Sequence, residues 1–151
     1  MKERKIMPFD KNFVPALRFA VMSDIHIDDE DCIEEQRFAK ALDDLKNLCS
    51  SDERYSGFDA LVIVGDFASR GSEIQMCKVK KILGAGLPAD VRLIMTMASH
   101  EYMTDGEENA LRRFDEIFGL TPDTHAVING FDFIAVTTTG GCHFDEKKRG
   151  F

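Results

Sequence analysis

Three short apolar runs, residues 17–23, 60–64 and 91–97, alternate with amphipathic segments, and this alternation constrains the fold more than any other feature. Each run is too short for a helix and almost continuously apolar, which suits a strand covered on both faces. Between the first two, Phe38, Ala41, Leu42, Leu45 and Leu48 recur at helical spacing over residues 34–48, with charges between them. A polar loop, 50–57, follows. Residues 72–83 read as a second helix, with Ser72 as its cap and Gly84, Gly86 and Pro88 as its stop. After the third run, Leu111, Phe114, Ile117 and Phe118 share one face of a helix over 107–118, which Gly119 terminates. Residues 125–128 and 131–137 flank Asn129-Gly130, the strongest hairpin signal in the chain. This order implies an α/β layered fold with a mixed β-sheet flanked by helices.

The chain's 151 residues, 44% apolar and 30% charged, can bury one substantial core, so one globular domain is expected. Its boundaries read as a polar leader over 1–16, a folded domain over 17–140 and a charged tail over 141–151. Most of the twelve phenylalanines fall at strand or helix periodicity and are expected in the core. A formal charge of -8 argues against non-specific binding to nucleic acid or to an anionic membrane, both of which need basic patches. The same charge opposes a phosphorylated substrate unless bound cations invert the local field. Cys32, Cys49, Cys77 and Cys142 form no CxxC pair, so free buried thiols are expected rather than a zinc knuckle or a redox motif. The leader has no apolar run suited to a signal peptide and no later stretch could span a bilayer, which points to a cytoplasmic protein.

Each apolar run leads straight into potential ligands: Asp24-Ile25-His26, Gly65-Asp66 and Ser99-His100-Glu101. Ligands of open α/β sheets bind at the carboxyl ends of strands, so the three clusters are expected to converge. Asp24 and His26, two apart in an extended segment, would point to one side and grip one ion. Carboxylate and imidazole together suit manganese, iron or zinc. Gly65 lets the backbone turn, and the two oxygens of Asp66 could each hold a separate ion. His100 would sit nearby as a proton donor.

These clusters, with Arg70-Gly71 after the second, match in order and spacing the front motifs of the calcineurin-like metallophosphoesterases, which this chain resembles over residues 19–137. The resemblance implies the first half of a β-sandwich core and two divalent metal ions, Mn, Fe or Zn. It assigns Asp24 and His26 to the first metal, Asp66 to a bridging position, and His100 to catalysis, assisting the leaving alcohol. Ser99 falls at the position of the asparagine that ligates the second metal, and Arg70 at that of a phosphate-contacting arginine in the protein-phosphatase branch. The implied activity is hydrolysis of a phosphomonoester or phosphodiester by a metal-activated hydroxide; the alternative is a degenerate or truncated non-catalytic relative that binds one metal or none and serves as an interaction module.

Departures from the pattern are specific. Ala98-Ser99-His100-Glu101 replaces Gly-Asn-His-acid, and the family's later histidine and Gly-His-x-His motif are not found after His100. Ser69 stands where the protein-phosphatase branch has an aspartate that orients the catalytic histidine. If the second half of the family's sandwich is absent, an apolar sheet face and an unpaired edge are expected to be exposed and to favour self-association. Asp24, His26, Asp28 and Glu35 resemble the offsets of an EF-hand loop, but the turn glycine is replaced by Asp29 and a strand precedes it. His143 and residues 147–149 read as exposed tail.

Overall fold

The computed structural model describes residues 12–51, 53 and 55–137. Its elements are β1 (Phe19–Met22), α1 (Ile33–Ser50), β2 (Ala60–Val64), α2 (Glu73–Gly86), β3 (Arg92–Thr96), a 3-10 turn (His100–Tyr102), α3 (Glu107–Phe118), β4 (Thr124–Ile128) and β5 (Phe131–Ala135). The first three strands form a parallel sheet in the order β1-β2-β3, with Phe19 opposite Ala60 and Ala60 opposite Arg92. Right-handed crossovers in that order put α1 and α2 on one face of the sheet. Leu61, Ile63 and Met95 point into that layer, where they are buried with Phe38 and Leu42 of α1, Met76, Val79 and Leu83 of α2, and Phe114 of α3.

Helix ends follow local chemistry. Ser72 caps α2 by accepting from the Gln75 N–H, and the Gln75 side chain accepts in return from the Ser72 N–H, a capping box. Gly84 and Gly86, which the sequence marks as stops, instead lie within α2. Pro88 ends it by disfavouring the helical region for Leu87, which is extended at φ -88 and ψ 127. Gly86 has a packing role: a Cβ there would lie 2.8 Å from Leu42 Cδ1, so its absence lets α2 approach α1. Gly119 closes α3 in the left-handed region, φ 65.

Parallel and antiparallel pairings both occur, in two separate ladders among the described residues. The β4-β5 hairpin turns through Asn129 and Gly130 at φ 51 and 83, the two positive angles that match strand twist. It packs near the second face of the sheet, where Phe133 meets Phe19 edge-to-face with centroids 5.2 Å apart. The Asn129 amide reaches the opposite end, donating to the Ala16 carbonyl at 3.2 Å and to Asp59 Oδ1 at 2.9 Å. Asp59 also accepts from the Arg18 N–H at 2.7 Å and the Tyr55 hydroxyl at 2.6 Å. Burial alone would raise the Asp59 carboxyl, but these three donors hold it below the usual carboxylate range.

The second face is only partly covered by the described residues, which do not close a sandwich. Val21, Val64 and Ile134 are exposed, as are Phe13, Phe19 and Phe131, so several phenylalanines lie outside the core expected from their periodicity. Of the cysteines, Cys49 is buried, Cys32 half-buried and Cys77 exposed on α2, so burial is not general; Cys142 lies outside the described residues, as do His143 and 147–149. Among the described residues no helix is long and apolar enough to cross a membrane.

Candidate metal centre

The loops after β1 and β2 run side by side beyond the strands, joined by main-chain hydrogen bonds. His26 N donates to the Asp66 carbonyl and Ile27 N to the Phe67 carbonyl, both at 3.0 Å, and Ser69 N donates to the Ile27 carbonyl at 2.9 Å. Asp24, His26 and Asp66 adopt φ of 54, 53 and 49. The Asp24-to-His26 segment is therefore not extended, as the sequence reading supposes: β1 ends at Met22 and the chain turns through left-handed conformations. Asp and His enter that region more readily than most residues. The two side chains still meet, with His26 Nε2 3.9 Å from Asp24 Oδ1.

The third loop is brought in by Asp66, whose Oδ1 accepts the His100 N–H at 3.1 Å. The His26 and His100 rings then meet edge to face with centroids 4.6 Å apart. His26, Asp66 and His100 each offer a ligand atom within 4.8 Å of the other two, and no other such trio of His, Cys, Asp or Glu occurs among the described residues. Two imidazoles and a carboxylate at that spacing fit one divalent cation. Asp24 stands beside the trio and outside it, 68% exposed. Ser99 occupies the position before the 3-10 turn and its hydroxyl caps nothing there.

His100 Nδ1 lies 2.7 Å from the main-chain oxygen of Ser69. A carbonyl can only accept, so Nδ1 carries the proton and Nε2 is the nitrogen left for chemistry. Position 69 thus still orients His100, through its backbone, although the aspartate of the protein-phosphatase branch is missing. The Ser69 hydroxyl meanwhile donates to the His26 carbonyl at 3.0 Å, tying the first loop to the second. Arg70 is exposed, and its backbone is fixed at both ends: its N–H donates to Gln75 Oε1 at 2.8 Å and its carbonyl accepts from Thr104 N at 3.0 Å.

Sequence reasoning placed Glu101 among the potential ligands of the third cluster; it is instead fully buried, outside the trio, with a carboxylate that accepts three backbone N–H groups. Burial pushes this carboxyl up to about 7, against the downward pull of those donors. The acidic loop over 28–31 holds a lysine where an EF-hand would hold calcium. Lys78 Nζ donates to the Glu30 carbonyl at 2.7 Å, the Asp28 carbonyl at 3.1 Å and Glu35 Oε1 at 2.8 Å. A cleft of about 790 Å³ opens next to the centre, between Met22, Ser23, Asp24 and His26 on one side and Arg37, Phe38 and Ala41 of α1 on the other.

A parallel βαβαβ sheet with carboxylate and imidazole side chains gathered at its strand ends defines an α/β domain with a candidate metal centre. Residues 17–150 match the family model of the calcineurin-like phosphoesterases, and the chain belongs to that family. No curated protein matches the chain.

Proposed function

We propose that this chain is a single-cation member of its family, holding one divalent ion between His26, Asp66 and His100 and acting as a phosphate-binding interaction module rather than as a two-metal hydrolase. The observation that carries this reading is the convergence of those three side chains, one from each strand end. With Nδ1–H committed to Ser69, His100 has one nitrogen left. That nitrogen can ligate an ion or protonate a leaving group, and one nitrogen cannot do both at once. As a ligand it supplies the donor that Ser99 lacks in place of asparagine. When bound, the cation supplies positive charge for phosphate oxygens. Arg70, exposed, with its backbone anchored and next in the chain to the Ser69 that holds His100, would add a bidentate contact to the same group.

The second reading is hydrolysis of a phosphomonoester or phosphodiester. Family membership and the fixed tautomer of His100 favour it, with Asp24 joining His26 and Asp66 around the ion while His100 Nε2 moves the proton. Titration with Zn2+, read by metal stoichiometry and by the 15N shift of His100 Nε2, separates the two when combined with turnover of an aryl phosphate. The first reading expects one ion per chain, a ligand shift at Nε2 and no turnover. The second expects turnover that is lost in Asp66→Asn, and in His100→Asn with the ion retained. A native chain that takes up no ion refutes both.

A further inference from the structure

We infer that Glu101 is the positioning residue of this centre, setting the separation of Asp66 and His100 by gripping the backbone of both loops. Its Oε2 accepts from Asp66 N and Ala98 N, each at 2.9 Å, and its Oε1 accepts from Ala68 N at 3.0 Å. Two of these donors belong to the loop after β2 and the third to the loop after β3, so one rigid planar group spans the gap between them. The grip closes a ring: Glu101 holds the Asp66 backbone, the Asp66 carboxylate holds the His100 backbone, and His100 precedes Glu101 in the chain.

The residue type follows from the donors. Three buried N–H groups aimed at one side chain need an acceptor-only group with several lone pairs, which a carboxylate is. An amide of the same shape must turn its NH2 toward at least one of them. Asp66 itself sits at φ 49, a left-handed conformation that costs an L-residue energy, and its N–H is one of those that Glu101 grips. Gly71 packs directly against the backbone of residue 101, since a Cβ on Gly71 would fall 2.0 Å from the Glu101 carbonyl oxygen. Glu101 lies outside the trio of ligands, so its effect on an ion passes through Asp66 and His100.

The inference rests on the single-cation site, and its test separates the two. Native chain and Glu101→Gln are titrated with Co2+, recording affinity, the visible absorption of the saturated complex, and cooperative unfolding without metal. Loss of an outer partner of a ligand typically weakens metal binding by about 10–100-fold. A fall of that size, with an altered Co2+ spectrum at saturation and partial recovery in Glu101→Asp, is the expected result. Unchanged affinity and spectrum in a folded Glu101→Gln would overturn the role of Glu101 alone, whereas a native chain that binds no Co2+ would overturn the site itself. Should Glu101→Gln not fold, amide exchange in the native chain decides: the Asp66, Ala68 and Ala98 N–H groups must be protected, with Asp66 and Ala98 more so when Co2+ is bound. Free exchange at these amides would refute the grip.

Discussion

Gly65→Ala tests how tightly the second and third ligand loops must approach. A Cβ at position 65 would lie 2.4 Å from Ala98 Cβ and 2.8 Å from Ala98 N, while φ is +82. The left-handed backbone costs an L-residue roughly 1–2 kcal/mol. Forcing the two loops apart to ordinary contact is an overpacking change worth roughly 1–3 kcal/mol. The sum, roughly 2–5 kcal/mol, is a large share of the roughly 5–15 kcal/mol by which a domain is stable. Displacing Ala98 also pulls on the N–H that Glu101 holds, so cation affinity should fall together with stability. Urea unfolding of Gly65→Ala without metal measures the first effect and Co2+ titration the second. Adding Ala98→Gly removes the 2.4 Å contact but neither the backbone nitrogen at 2.8 Å nor the positive φ, so it should restore part of the loss. A single variant within about 0.5 kcal/mol of the native chain, the usual range for harmless surface changes, would refute the close-approach reasoning, as would a double variant no better than the single.

At the other end of the sheet, Asp59 should make stability depend on acid. Its carboxyl titrates below its unfolded value of about 4, so its contribution is present above that value and fades as pH falls through the lower folded one. Asp59→Asn should cost about 1–3 kcal/mol at pH 7 by weakening three hydrogen bonds to a charged acceptor, and the gap between the two proteins should narrow in urea melts taken toward pH 3; a gap that stays constant with pH would contradict this. In the helical layer, Phe114 is fully buried with its ring 6.2 Å from Phe67 and 5.1 Å from Phe118. Phe114→Ala should cost about 3–5 kcal/mol through lost burial and the cavity left behind, seen as a lowered urea midpoint, and a loss under about 1 kcal/mol would show that α3 can collapse onto the gap.

Periodicity carried the fold because most of this chain obeys local rules. The spacing of Leu111, Phe114, Ile117 and Phe118 defines α3 at Glu107–Phe118, and Asn129-Gly130 sets the hairpin. Gly84 misleads because a glycine weakens a helix without ending it, and the close approach of Gly86 to Leu42 is a tertiary contact. The meeting of His26, Asp66 and His100 was legible because each follows its own parallel strand, whereas Asp24, read as the partner of His26, lies outside that trio. What remained hidden were main-chain partners: the Ser69 carbonyl that orients His100 and the N–H groups that Glu101 collects have no side-chain signature. Left-handed turns at Asp24 and His26 were hidden for the same reason, since neither residue is a glycine.

Because each successive βα unit contributes one of the three candidate ligands, the centre has a chronology as well as a shape. His26 and Asp66 leave the ribosome first, but Asp66 and His100 are joined across 34 residues and the clamp on the Asp66 amide arrives only with residue 101. On the single-cation reading an ion therefore has no prepared seat on a nascent chain, and metalation should follow folding. In a zinc finger the order is reversed, because there the metal drives the chain to fold. Cation uptake by this domain would then mark a completed assembly of its parallel sheet.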